Sequence, residues 1–153
     1  MWRAVLLGAV TGMRSQLPTA LLAWRASRGD FPHEIDGPGG MFRRPGAVQL
    51  AAMAALGELV ADKLPHTPNR LESGPFFGRL SLGAAAGAGI STAFGRSRIV
   101  GAALGVAGTA LGSAAGHRLR TAAAERSGAP DLIWALAEDA LAITLGLVAT
   151  RAG

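Results

Sequence analysis

Glu58 and Asp62 stand four positions apart in Ala55-Leu-Gly-Glu58-Leu-Val-Ala-Asp62-Lys63-Leu-Pro65, an otherwise apolar, helix-compatible stretch. That spacing puts both carboxylates on one helical face. A paired acid of this kind can hold a proton or a cation, or it can receive an arginine from a neighbouring helix. A second acidic pair, Glu138-Asp139, interrupts the apolar run from Leu132 to Ala149, and Arg14 and Arg118 are the basic groups set closest to apolar sequence. In a membrane-spanning helix such groups are costly, face the protein interior and mark either a pathway or a structural ion pair.

Two readings of these six residues follow, and the sequence leaves both open. In the first, Arg14 pairs with Glu58 or Asp62, and Arg118 pairs with Glu138 or Asp139, so that opposite charges neutralise each other and fix helix register. In the second, Arg14, Glu58, Asp62, Arg118, Glu138 and Asp139 line the path of an ion or small polar solute. His66 and His117 adjoin helix ends, where a histidine is more often a cap than a ligand. No tight ligand spacing such as His-x-x-x-His occurs, so neither a metal nor another cofactor is expected. There is also no Gly-x-Ser-x-Gly elbow, no phosphate-binding Gly-x-x-x-x-Gly-Lys-Ser/Thr loop and no His-Glu-x-x-His, which argues against an enzyme.

The elements that would position these residues are helices. Of 153 residues, 50% are hydrophobic and 16% charged, and 22 are glycine. Aromatics make up only 5% and tyrosine is absent, a poor composition for strands. A soluble helical core would lose about 1 kcal/mol for each interior glycine. Between membrane helices, small residues instead let backbones approach. Gly8 and Gly12, Gly83 and Gly87, and the series Gly101, Gly105, Gly108, Gly112 and Gly116 are therefore read as packing faces. The net charge of +5 lies on arginines at the ends of apolar stretches rather than in one stripe, which excludes nucleic acid and suits a lipid bilayer. Cysteine is absent, and with it disulfides and thiolate chemistry.

Five spans are predicted: about 4–24, 46–64, 80–95, 99–116 and 132–149. The polar stretch from Ser27 to Pro45, with Gly37-Pro38-Gly39-Gly40 as a breaker, is a loop. The fold class expected is thus all-α, a polytopic membrane protein of about five helices forming a single domain over residues 1–153. Gly8-x-x-x-Gly12-x-Arg14 matches Gly112-x-x-x-Gly116-x-Arg118, and Ala55-Leu-Gly-Glu58 matches Ala135-Leu-Ala-Glu138. Halves of about 1–74 and 98–153, joined by a helix at 80–95, would then form an inverted repeat of two helix pairs with a site between them. With five spans the basic residues divide evenly between the two sides and give no orientation.

Gly8-x-x-x-Gly12-x-Arg14-Ser15 with Pro18, Glu58-x-x-x-Asp62-Lys63-x-Pro65 with Pro68-Asn69-Arg70, and Pro130-Asp131 followed by Glu138-Asp139 together resemble a family of small bacterial integral membrane proteins classed only as a domain of unknown function. The resemblance implies a helical fold and a bacterial inner-membrane, multi-pass location, and it brings no substrate. The long first loop departs from the family pattern. The function expected is a small transporter or channel, working as a homo-oligomer because so few thin helices enclose little volume. The alternative is a non-transporting scaffold or accessory subunit whose charges are structural pairs.

Overall fold

The computed structural model describes residues 1–35, 40, 42–61, 73–127 and 130–151. Among them the chain is all-helical, with six helices: α1 (Trp2–Met13), α2 (Leu17–Ser27), α3 (Ala47–Ala61), α4 (Ser73–Ala93), α5 (Arg98–Ser127) and α6 (Asp131–Thr150).

The first expected span is two helices. Arg14 leaves α1 with extended backbone (φ −137°, ψ 103°), its amide donating back to the Val10 carbonyl, and Pro18 sits in the opening turn of α2, where its missing N–H costs nothing. The chain then turns back on itself. Leu17 packs with Val10 and Met13, whereas Leu22 and Ala23 share a core with Ala4 and Leu7, so α1 and α2 run antiparallel. With 12 and 11 residues, the two helices rise only about 18 and 16 Å, roughly half the ~30 Å of a bilayer's hydrocarbon. The tip Arg14-Ser15-Gln16 therefore lies deep inside the bundle.

The other ends meet where α1 begins. Arg3 Nη1 donates to the carbonyls of Ala149 (2.9 Å) and Arg151 (2.6 Å) at the close of α6. Its guanidinium also lies 4.2 Å from the centroid of Phe94, just past the end of α4. The loop after α2 closes this end, with the His33 amide donating to the Ala93 carbonyl and Ile35 and Phe42 buried in the core. It is not the fully solvated loop its polarity suggests.

Two described segments, Arg98–Ala123 and Leu132–Thr150, are long and apolar enough to cross a membrane, against the five expected. The shortfall has physical causes. α1 and α2 are half-length, the described part of α3 ends at Ala61, and α4 starts earlier than predicted and takes in Arg79. α5 continues past Gly116 because arginine and alanine are strong helix formers, and Gly128 and Pro130 come only after Ser127.

α5 is held between α1 and α4 at backbone-to-backbone distance. A Cβ placed on Gly8 would strike the Gly105 carbonyl, one on Gly105 the Gly83 carbonyl, and one on Gly87 the Gly101 carbonyl. Val5 and Ala9 face Gly108 and Gly112 in the same rising order, so α1 and α5 run parallel. The inverted repeat requires them to run in opposite senses, so the described helices do not follow that arrangement.

Polarity is distributed inside out. Arg14 is 1% exposed and Thr109 fully buried, while Leu50, Met53 and Ile99 are 71%, 70% and 79% exposed. In water each bared side chain of that size forgoes about 1.5–3 kcal/mol of burial. Many large apolar side chains thus face outward while Arg14, Glu138 and Asp139 are enclosed, a distribution compatible with a lipid surround.

Candidate functional site

The break between α1 and α2 creates a chemical demand: α1 ends on unpaired carbonyls and α2 starts on unpaired amides. Both are met by side chains from three other helices, α3, α4 and α5. Glu58, near the end of α3, receives the Ser15 amide (2.8 Å) and the Ser15 Oγ hydroxyl (2.7 Å) on Oε1 and the Gln16 amide (2.9 Å) on Oε2. Its carboxylate thus caps α2, where the helix dipole also favours negative charge.

The carbonyl side is met by cations and hydroxyls. Arg79 of α4 donates through Nη1 to the Gly12 carbonyl at 3.0 Å, and its Nη2 lies 3.8 Å from Glu58 Oε1. Ser113 Oγ donates to the same Gly12 carbonyl at 3.3 Å, and Thr109 Oγ1 to that of Gly8 at 3.1 Å. Arg14 turns its own Nη1 onto the Met13 carbonyl at 3.1 Å.

Arg14 also ties the tip to α6. Its Nε hydrogen-bonds Asp139 Oδ1, and its Nη2 stands 3.7 Å from Glu138 Oε2, with both acids about nine-tenths buried. Glu138 and Asp139 fall near the middle of the 20-residue α6, about 11 Å from its start. One polar centre therefore joins α1, α2, α3, α4 and α6 halfway through the bundle.

Of the predicted site residues, Arg14, Glu58, Glu138 and Asp139 come together here, but with different partners. Arg14 pairs with Glu138 and Asp139 rather than Glu58, and Glu58 pairs with the hairpin backbone and Arg79. Arg118 is exposed on α5, outside the centre. Asp62 lies outside the described residues. Arg79, Ser15, Thr109 and Ser113 escaped the sequence reading. Arg79 falls just before the span expected to begin at residue 80, and only a helix traced back to Ser73 draws it inward.

Among the described residues, no group of three or more His, Cys, Asp or Glu is arranged to hold a metal ion. Among the described residues the centre brings together three carboxylates (Glu58, Glu138, Asp139) and two guanidiniums (Arg14, Arg79). What the arrangement does chemically is brace a broken helix and hold ionisable groups close to one another at mid-depth. Compared with known proteins, the chain matches no family model, no curated protein and no solved structure.

Proposed function

We propose that this chain is a polytopic protein of the bacterial inner membrane that passes a proton or a small cation past the buried centre at the α1–α2 tip. The observation that carries this reading is the gathering of Arg14, Glu58, Arg79, Glu138 and Asp139 at mid-depth, at the break between two half-length helices, inside a bundle with a leucine- and isoleucine-rich exterior. Carboxylates held among arginines where two helices break offer a relay for a proton or a small cation. The bared face of α3, where Leu50, Met53, Leu56 and Val60 follow one another at helical spacing, suits contact with lipid or with a second copy in a homo-oligomer.

The test is flux in proteoliposomes. Under an imposed pH or potassium gradient, wild-type protein dissipates the gradient and the Glu138→Gln variant does so at least tenfold more slowly. Equal rates in folded wild-type and variant protein overturn the proposal.

A second reading is favoured by one specific observation: Glu58, Arg79 and Ser113 all bind backbone groups exposed by the helix break. On that reading the charges only hold the hairpin and the protein is a scaffold or accessory subunit. It predicts no flux in wild-type protein, and recovery of folding when Arg14→Asp is combined with Asp139→Arg.

A further inference from the structure

A cavity of about 190 Å³ opens at the end of the bundle where α1 begins, walled by Trp2 and Arg3 of α1, Ser91 of α4, and Phe94 and Arg96 just past α4. Each arginine is positioned by the fold. The Arg3 guanidinium lies 4.9 Å from the ring centroid of Trp2 and 4.2 Å from that of Phe94, and its Nη1 carries both bonds to the carbonyls of Ala149 and Arg151. Its Nε and Nη2 have no hydrogen-bond partner among the described residues. Arg96 is placed by the turn that closes α4. Gly95 takes φ +63°, its amide donates to the Thr92 carbonyl (2.9 Å), and the Arg96 amide donates to that of Ser91 (2.8 Å), the two bonds of a Schellman turn.

The occupant follows from the donors left over. The described carboxylates at this end, Asp30 and Glu34, are engaged by Arg25, Arg28 and Arg43, and among the described residues no carboxylate pairs with Arg3 or Arg96. Ser91, 5% exposed, adds a hydroxyl that likewise has no partner among the described residues. An apolar guest would strand these groups, and a cation would be repelled. A planar carboxylate matches one guanidinium fork, whereas a tetrahedral phosphate turns its oxygens in different directions, toward donors arriving from both α1 and α4. The volume is below the ~300–1,000 Å³ of drug-sized sites, which suits one phosphate with a small substituent. Trp2 and Trp24, 55% and 37% exposed, both stand at this end, and tryptophans so placed lie at headgroup level in a bilayer.

We propose that this cavity binds a phosphate group, carried by the headgroup of an anionic phospholipid. The lipid source rests on the membrane reading above, and the phosphate site is independent of flux. Full-length protein in detergent, carrying Trp24→Phe and Trp134→Phe, keeps Trp2 at the cavity wall as the reporter among the three tryptophans. It is titrated with dihexanoyl phosphatidylglycerol, with the zwitterionic dihexanoyl phosphatidylcholine and with glycerol phosphate. The anionic lipid should change Trp2 emission saturably, and Arg96→Gln should weaken its binding about tenfold, as the loss of a charge-assisted contact does. Arg44→Gln, which removes an exposed arginine of the same end that does not line the cavity, should leave the affinity unchanged. Arg3→Gln should weaken binding at least as much as Arg96→Gln, and the exposed Arg96 decides the matter if Arg3→Gln does not fold. Glycerol phosphate binding as tightly as the anionic lipid supports the site and assigns it to a soluble phosphate ester. Equal affinity for the two lipids, no saturable response to any probe, or equal weakening by Arg96→Gln and Arg44→Gln overturns the proposal. Binding is read without a gradient. Protein that binds phosphate and passes no ion sinks only the flux reading, and protein that passes ions without binding phosphate sinks only this site.

Discussion

Glu58 and Ser15 are joined twice, the Oε1 of the glutamate accepting both the backbone amide and the side-chain hydroxyl of the serine. This double contact, with the Gln16 amide on Oε2, fastens α3 to the tip of the α1–α2 hairpin. Glu58→Ala strands two part-buried amides at the start of α2 and removes the carboxylate beside Arg79. The expected loss is about 2 kcal/mol or more, since an unsatisfied buried donor costs ~1–3 kcal/mol. Glu58→Gln keeps an acceptor oxygen and should lose about half as much. Thermal unfolding of the two variants in one detergent checks the order; equal stability of Glu58→Ala and wild type refutes the capping role.

Arg14 presents the complementary case, a cation fully enclosed between two acids of α6. Arg14→Ala removes the guanidinium that Glu138 and Asp139 share, and truncating one member of a buried pair typically costs ~3–5 kcal/mol. Asp139→Asn removes the carboxylate charge that Arg14 meets, so the double variant should recover part of that loss, with a coupling energy of about 1–3 kcal/mol. A double-mutant cycle on unfolding free energies measures it. Additive losses would show that the two side chains do not act together.

How much of this could be read from the sequence differs by element. The last helix was legible, 132–149 expected against Asp131–Thr150, because Gly128 and Pro130 mark its start and an apolar run broken only by Glu138-Asp139 carries it to the end. The glycine faces were legible too, since small residues at four-residue spacing have little use other than close approach. The hairpin was not. An apolar run from Ala4 to Trp24 has the length of one span, and nothing local says whether the chain continues or returns after Arg14. The choice of partner for Arg14 was equally hidden, because it follows from α6 packing beside α1 and not from any spacing along the chain.

The glycine contacts predict a sharp contrast. Gly105 sits between Gly8 on one side and Gly83 and Gly87 on the other, so Gly105→Leu forces three helices apart and should cost more than about 3 kcal/mol, as other overpacked cores do. Gly57 on α3 has open space where a Cβ would go. Gly57→Ala should therefore be neutral or stabilising by up to about 1 kcal/mol through helix propensity. Melting temperatures of the two variants decide it, and similar destabilisation in both would rule out the close α1–α5–α4 approach.

The returning hairpin also changes the topology. Because α2 ends at the side where α1 began, Arg3 shares an end with Arg25, Arg28, Arg43, Arg44, Arg96, Arg98 and Arg151. Five spans divide the basic residues evenly; the hairpin gathers these eight arginines at one face, and on the proposed membrane reading the positive-inside rule predicts that this face is cytoplasmic. The chain has no native cysteine, so single cysteines report their side directly. In intact cells a membrane-impermeant thiol reagent should leave Arg28→Cys, Ser97→Cys and Arg151→Cys unlabelled and should label Ser127→Cys at the opposite end. Ser15→Cys at the hairpin tip should resist labelling from either side. Labelling of Ser97→Cys but not Ser127→Cys reverses the orientation, whereas Met1→Cys, added behind a new start codon, and Arg28→Cys labelling from opposite sides would show that α1 and α2 form one span after all.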